Sequence, residues 1–160
     1  MKINNKNLKE FARIHAHLSG DGGLYYYKTS EKDRINRAEI VYFNNNKKLI
    51  NSFRKDMNRL FGVKMSYNPK YIRIAVKSLR IADVLSRFGK YGTREWRIPK
   101  IIKFSNKKIM LEWIKAFSHD EGYLPKNRNI IRIKSMNFKG LEDVNKMLHF
   151  MEIESWITGK

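Results

Sequence analysis

The chain contains no cysteine among its 160 residues. This absence excludes disulfides, thiolate metal centres and cysteine nucleophiles together, and it fits a reducing compartment. No apolar run approaches the roughly 20 residues that a bilayer-spanning helix needs, and the first residues, MKINNKNLKEF, have no apolar stretch of signal-peptide length. We therefore expect an intracellular protein, in the cytoplasm or an organelle matrix, that is not secreted and has no membrane partner.

Proline and acidic residues are scarce as well. There are only three prolines, and the hydrophobic fraction is 42%, which is typical of a folded chain and not of a disordered one. The 15 acidic residues face 34 lysines and arginines, giving a net charge of +19. No block of five consecutive basic residues occurs, and both halves of the chain are basic. A shaped basic surface of this kind favours a nucleic-acid partner.

Several common catalytic motifs are missing. The sequence has no Walker loop, no HExxH zinc motif and no spaced His-Asn-His set. His15 and His17 have no cysteine or third histidine at metal-ligand spacing, so we interpret them as packing or satisfied polar residues and not as metal ligands. The three tryptophans, Trp96, Trp113 and Trp156, are predicted to be core residues.

Hydrophobic periodicity predicts two successive sets of elements. The first set has helices at 7–20, 46–62 and 79–89, and strands at 24–28, 37–43, 63–68 and 70–78, with a polar loop at 29–36. The second set has helices at 106–120 and 138–153, a strand at 130–136 and a short final strand at 155–159. We infer an internal duplication, with a first half at 1–89, a linker at 90–105 and a second half at 106–160.

The first helix of each set ends on an acid followed by glycine. These endings are Asp21-Gly22 and Glu121-Gly122. A carboxylate is unfavourable there, because the helix dipole leaves partial negative charge at the carboxyl end. A bound divalent cation removes this objection, since two adjacent carboxylates form a hard-oxygen site suited to Mg²⁺. The pair therefore predicts a metal site.

Small residues precede both acids. Alanine occupies matching positions, Ala16 and Ala116, and Gly20 lies one turn after Ala16. Small residues at this spacing let two helices approach closely. If the two helices pack side by side, Asp21 and Glu121 emerge as neighbours.

These residues resemble the LAGLIDADG homing endonucleases, in the single-chain form with two motif copies. The resemblance rests on the matched alanines, Gly20 and the two acid-glycine endings, with support from REWRIP at 94–99 and the segment at 132–155. It implies an α+β fold, a pseudo-twofold duplicated αββαββα unit whose antiparallel sheets form a saddle over duplex DNA. It also implies a site-specific, metal-dependent double-strand endonuclease.

The resemblance also implies roles for particular residues. Asp21 and Glu121 would be the catalytic, metal-binding acids for Mg²⁺, with Mn²⁺ as a substitute, and Gly20 and Asp120 are further metal-ligand candidates. Lys77 is the candidate basic helper by its strand position, because Asn44-Asn45 stands where the family often has Gln-Lys; Asn137 is predicted to be the corresponding second-half position. The outward strand positions nominate a DNA-contacting set: Tyr25, Tyr27, Arg37, Glu39, Lys64, Ser66, Asn68, Tyr71, Arg73, Arg132 and Lys134.

The second half is shorter than the first after its motif. We expect a shortened sheet, completion by a second chain, or a truncated sequence; a monomer is expected unless a second chain completes the fold as a dimer. Two functional alternatives stay open on the same scaffold. One is an RNA maturase that assists splicing of a host intron RNA, and the other is a non-cleaving, sequence-specific DNA-binding protein.

Overall fold

Two similar sets of helices and strands follow one another along the chain. The computed structural model describes residues 2–28, 35–126 and 129–159. The first set is α1 (Leu8–Gly20), β1 (Gly22–Lys28), β2 (Ile35–Phe43), α2 (Lys47–Phe61), β3 (Ser66–Asn68), a 3₁₀ turn (Pro69–Tyr71), β4 (Arg73–Lys77) and α3 (Leu79–Ser86). The second is α4 (Lys100–Lys103), α5 (Lys107–Glu121), β5 (Gly122–Tyr123), β6 (Arg132–Ile133) and α6 (Phe138–Phe150).

Both sheets are antiparallel. The first has the strand order β1-β2-β4-β3, and the second has β5 beside β6. Alternation along the strands puts Leu24, Ile40 and Ile74 on the face that packs against the helices. The other face, called the outer face below, carries polar side chains such as Glu39 and Arg73 beside the apolar Val41 and Phe43. The α+β fold with antiparallel sheets is confirmed.

Helices α1 and α5 pack against each other at the centre of the molecule. Ala12 and Ala16 on α1 and Ala116 on α5 are buried, and their small side chains allow the two backbones to approach closely. Large rings close the space around this contact; Phe11, Trp113 and Phe117 are fully buried. The predicted side-by-side packing of the two motif helices is therefore present.

A buried ion cluster ties α1 to its neighbours. Arg13 donates to both carboxylate oxygens of Asp56 on α2, at 2.7 and 2.6 Å, and to Glu112 on α5, at 2.6 Å. Hydrogen bonding to Asp56 raises the pKa of Arg13. Removing one partner of such a cluster would leave a buried charge unpaired, which typically costs about 3–5 kcal/mol.

His15 links α1 to α5 in the core. Its Nδ1 accepts a hydrogen bond from the indole Nε1 of Trp113 at 3.1 Å, and the side chain has no exposed surface. Because Nδ1 is an acceptor, the ring is neutral and carries its proton on Nε2. Burial lowers the pKa of His15 to about 3. His15 is thus a packing residue, as predicted.

The segment at 90–105 is not an exposed linker. Trp96, Ile98 and Ile102 are buried in the common core, and residues 100–103 form α4. Arg97 donates to both oxygens of Asp143 on α6, at 2.7 and 2.8 Å. This segment therefore connects the two halves by packing as well as by sequence.

The structure corrects several predicted elements. The strand expected at 130–136 covers only Arg132–Ile133, and α6 ends at Phe150. The final strand expected at 155–159 is not formed, because no strand lies beside it to supply backbone partners, and Trp156 is 63% exposed instead of buried. Most of the predicted loop at 29–36 lies outside the described residues.

A cavity of about 920 Å³ separates β6 from residues 153–158. In the first sheet β4 pairs with β2, whereas among the described residues β6 pairs with β5 alone. The second sheet accordingly has two strands against four in the first, within the described ranges. None of the described helices combines the length and apolar character that crossing a bilayer requires.

We expect His15→Asn to flatten the pH dependence of stability. Below about pH 6.5 the histidine binds a proton in the unfolded state but stays neutral when it is buried in the native state. The free energy of unfolding therefore decreases as pH falls. At pH 5 this loss is about 2 kcal/mol relative to pH 7.5, and the asparagine variant, which can still accept from Trp113, lacks it. Urea unfolding at both pH values measures the difference. The exposed His149→Asn serves as control, and parallel pH profiles for wild type and His15→Asn would contradict the assignment.

Candidate functional site

Asp21 lies where α1 meets the end of β2. Its backbone amide caps α1 by donating to the carbonyl of His17 at 3.1 Å, and its own carbonyl accepts from the amide of Phe43 at 2.8 Å. The Asn44 side chain donates to the Asp21 carboxylate at 3.4 Å. These contacts hold the carboxylate at the junction of helix and sheet.

Glu121 has the corresponding place in the second half. It is the last residue of α5, and its carbonyl accepts from the amide of Lys134 at 3.3 Å. A Cβ placed on Gly20 would lie 3.4 Å from Cγ of Glu121. The end of α1 and the side chain of Glu121 are therefore neighbours.

Strand register defines which residues of the two halves are equivalent. Gly22 pairs with Tyr42, and Gly122 pairs with Ile133. It follows that Phe43 corresponds to Lys134, Asn44 to Ser135, and the helix cap Asn46 to the helix cap Asn137.

The predicted equivalence of Asn137 with Asn44-Asn45 is therefore wrong. Asn137 starts α6 by accepting from the Gly140 amide, and its side-chain amide donates to the carbonyl of Trp96. The second-half counterparts of Asn44-Asn45 are Ser135-Met136.

Asp120 fills the space that Gly20 leaves open. A Cβ on Gly20 would lie 2.9 Å from Cβ of Asp120, a separation that two real side chains do not adopt. The Asp120 side chain has no exposed surface; it accepts from His17 Nδ1 at 2.8 Å and from the Tyr42 hydroxyl at 2.7 Å. Both carboxylate oxygens of Asp120 are thus engaged by residues of the first half.

Ionisation of the two acids at the helix ends is unfavourable in the absence of a cation. Burial raises the pKa of Asp21 to about 6, and the charge of Asp120 adds to this rise, against a partial lowering by His17 and Asn44. Burial also raises the pKa of Glu121 to about 7, with further contributions from Asp21 and Asp120. Three carboxylates therefore repel one another in a half-buried space, which a cation would relieve.

The donor set fits a hydrated cation held jointly with a substrate. Within the described residues, no group of three or more His, Cys, Asp and Glu side chains is arranged to hold a metal ion by itself. Mg²⁺ commonly binds through one or two carboxylates, with water and phosphate oxygens supplying the rest. Asp21 and Glu121 match that requirement, whereas Asp120 is committed to hydrogen bonds. The carbonyl of Gly20 belongs to the last turn of α1, where carbonyls lack intrahelical partners.

The nominated DNA-contacting residues of the first half lie on or beside the outer face of the first sheet. Tyr25, Glu39, Tyr27 and Arg37 share that face across β1 and β2, and Arg73 joins it through β4. Ser66 and Asn68 share the same face on β3, while Lys64 precedes β3 and Tyr71 lies in the 3₁₀ turn. Seven of the full set are exposed: Tyr25, Arg37, Lys64, Ser66, Tyr71, Arg132 and Lys134.

Arg73 is held in position on this face. Its Nη1 lies 3.3 Å from Glu39 Oε2, and its guanidinium carbon lies 5.8 Å from the centre of the Tyr71 ring. Its Nε has no hydrogen-bond partner although it is buried. The Glu39 contact and the Tyr71 ring thus position the guanidinium on the outer face, which is predicted to meet DNA.

Lys77 lies away from the acids. It pairs with Glu39, four residues along β2 from Phe43, whose amide contacts Asp21. At about 3.3 Å per residue this separation is roughly 13 Å. Lys77 therefore shares the outer face with Tyr25 and Glu39, and the structure does not bring it to the carboxylates.

In the second half, Arg132 and Lys134 occupy positions equivalent to Val41 and Phe43. Lys134 Nζ lies 5.7 Å from the centre of the Tyr123 ring. A hydrogen bond to Arg132 lowers the pKa of the Tyr123 hydroxyl. The short second sheet thus also presents a basic and aromatic outer face.

The sequence did not identify Tyr42 as a site residue. The alternation of β2 places Tyr42 on the inner face, where a buried hydroxyl requires a partner. That requirement was the available signal, but nothing in the sequence indicated that the partner would be Asp120, 78 positions later.

The geometry defines the class of fold: a pseudo-twofold α+β unit in which two packed helices each lead into an antiparallel sheet. Solved structures of the homing endonuclease I-DmoI, a LAGLIDADG protein, are similar to it. A set of mesophilic I-DmoI variants matches with a TM-score of 0.69 at 20% identity, covering 91% of this chain and 74% of that one. I-DmoI in complex with DNA and Mn matches with a TM-score of 0.66 at 20% identity, covering 90% and 78%.

A further structure, I-DmoI with DNA and Ca, matches with a TM-score of 0.66 at 19% identity, covering 91% of this chain and 73% of that one. No family model matches the chain, and no curated protein matches it. At this identity the likeness establishes the fold, which is that of a LAGLIDADG homing endonuclease.

We expect Asp21→Asn and Glu121→Gln each to stabilise the metal-free protein at pH 8. The raised pKa values mean that the native state binds these protons more tightly than the unfolded state does. The stability that each protonated acid contributes is therefore complete below about pH 4 and is lost as pH rises through about 6 for Asp21 and 7 for Glu121. After a discount for half exposure we expect about 1 kcal/mol, or roughly 2–4 °C in Tm. Thermal unfolding with EDTA measures the gain, which shrinks at pH 5. The exposed Asp83→Asn is the control, and destabilisation of both site variants at pH 8 would contradict the prediction.

Proposed function

We propose that this protein is a site-specific, Mg²⁺-dependent double-strand DNA endonuclease of the homing type, with Mn²⁺ as a substitute. The observation that carries the proposal is the pairing of Asp21 and Glu121, half-buried and mutually repelling, at the ends of two packed helices between two basic sheet faces. The fold it shares with I-DmoI, which was solved with DNA and with Mn or Ca, supports the same function.

The chain's own residues would prepare the site. Asp21 and Glu121 would hold divalent cations, which when bound polarise a phosphodiester and lower the pKa of bound water. Asn44 restrains the Asp21 carboxylate through its amide. Half burial limits the water that competes for the carboxylates and strengthens their attraction for cations. The metal roles of Gly20 and Asp120, and the catalytic role of Lys77, have less support from their positions.

The charge and the open sheet faces would bind duplex DNA over a long recognition site. Phosphate contacts by lysine and arginine supply affinity and position the protein, while side chains in the major groove distinguish bases. Arg73 and Arg132 are the candidates for guanine contacts, since arginine pairs with the guanine edge through two hydrogen bonds. We propose that the protein acts as a monomer inside the cell and that its gene is associated with an intron.

The first functional test is cleavage. We expect purified protein with Mg²⁺ to linearise particular members of a plasmid library that carries random inserts, which also reveals the target. Asp21→Asn and Glu121→Gln should each reduce cleavage by at least 100-fold, since each removes a carboxylate on which bound cations depend. Both variants should retain DNA binding in a mobility-shift assay.

Other outcomes of that experiment separate the alternatives. If the two variants cut as fast as the parent, the proposed site is wrong. If the parent binds one sequence tightly but neither nicks nor cuts with Mg²⁺ or Mn²⁺, the protein is a non-cleaving DNA-binding protein. If splicing of a host intron RNA depends on the protein and survives both substitutions, the maturase function replaces nuclease activity.

The second test concerns base recognition. We expect Arg73→Ala to weaken binding of the selected target by about 1–3 kcal/mol and to relax the preference at one base pair, because the variant loses the positioned guanidinium. Lys108→Ala removes an exposed charge at the opposite end of α5 from the acids and is the control. Competition binding with single-base variants of the target measures the preference. An unchanged preference after Arg73→Ala would assign this residue to phosphate contact or to none.

A further inference from the structure

The two halves of the acid site are not equivalent. Strand register makes Tyr42 the counterpart of Ile133, and the aligned helix endings make Asp120 the counterpart of Gly20. The hydrogen bond between Asp120 and Tyr42 therefore has no symmetry mate, because glycine and isoleucine cannot form one. The asymmetry lies immediately beside Asp21 and Glu121.

The Asp120 contacts cross the boundary between the halves. Asp120 belongs to the last turn of α5, and both of its partners belong to the first half: His17 on α1 at 2.8 Å and Tyr42 on β2 at 2.7 Å. All three side chains are almost completely buried. Tyr42 is supported in turn by the ring of Phe53, whose centre lies 4.8 Å away. The carboxylate is thus held by rigid elements on two sides.

We propose that Asp120 is a positioning residue that fixes Glu121 relative to Asp21 by tying the end of α5 to His17 and Tyr42. The proposal rests on the proposed function of the two acids and assigns to Asp120 a role other than metal ligand. Its oxygens are already engaged by two donors, and Glu121 is the next residue along the same helical turn. Supporting residues of this kind typically change metal affinity by 10–100-fold when removed.

Gly20 makes this arrangement possible. A side chain on Gly20 would occupy the volume of the Asp120 Cβ, at 2.9 Å, and would displace the Asp120 carboxylate oxygen 3.3 Å away. The close approach of α1 thus gives Asp120 access to His17 and Tyr42. Charge on Asp120 also adds to the repulsion at Asp21 and Glu121, which agrees with its place beside both.

The test measures Mn²⁺ binding by calorimetry on the full chain saturated with its cleaved DNA target, because the site holds its cation jointly with phosphate oxygens. The same DNA without protein is the blank. We expect Asp120→Ala and Tyr42→Phe each to weaken Mn²⁺ binding by about 10-fold or more. Asp120→Asn, which keeps the shape and can still pair with both neighbours, should stay within about threefold of the parent. The double variant should be no weaker than Asp120→Ala alone, since both changes remove one interaction. Lys108→Ala is the control, and Tyr42→Phe keeps the ring in place if Asp120→Ala fails to fold.

Each outcome decides between the hypotheses. If the parent itself does not bind Mn²⁺, the proposed function fails first, and the positioning role falls with it. If the parent binds but Asp120→Ala and Tyr42→Phe bind equally well, the positioning role is wrong while the proposed function stands. If Asp120→Asn is as weak as Asp120→Ala, the charge of Asp120 matters rather than its hydrogen bonds, and Asp120 is a ligand or counter-charge instead.

Discussion

The close packing of α1 against α5 is the contact on which the rest of the structure depends. The backbones can approach because small residues line the contact: Ala12, Ala16, Gly20 and Ala116. Arg13 on α1 adds charged hydrogen bonds to Asp56 on α2 and Glu112 on α5. Because the helices are parallel partners, their last residues meet, and each continues directly into a strand of its own sheet. One helix contact thereby sets the spacing of the acids and the relative position of both sheets.

The acid site is a local exception in a strongly basic chain. The net charge is +19, yet three carboxylates are gathered where burial and mutual repulsion raise the pKa of two of them. The surrounding core makes this tolerable: the rings of Tyr42, Phe53 and His17 pack together beneath the acids. The packed rings below the site thus stabilise the fold, while the carboxylates of the site repel one another until a cation binds.

Local patterns predicted the parts of this structure that depend on local physics. The amphipathic helix α2 and the acid-glycine endings could be read from spacing, since burial of one face and small-residue packing follow directly from sequence order. The short β6 and the unpaired segment at 155–159 could not be predicted, because the length of a strand depends on its neighbours and β6 pairs only with the two-residue β5 among the described residues. Strand position alone likewise does not give the register, which pairs Lys77 with Glu39, four residues along β2 from Phe43.

The difference between Gly20 and Asp120 has a consequence for how such a chain can evolve. A symmetric dimer of first halves would place two glycines at the helix crossing and would contain no counterpart of the buried Asp120. A symmetric dimer of second halves would place two aspartates in a space that holds one, with Ile133 in place of the tyrosine hydroxyl. The second motif is therefore shaped to a partner that carries glycine at this position, and self-association of second halves would require a smaller residue in place of Asp120.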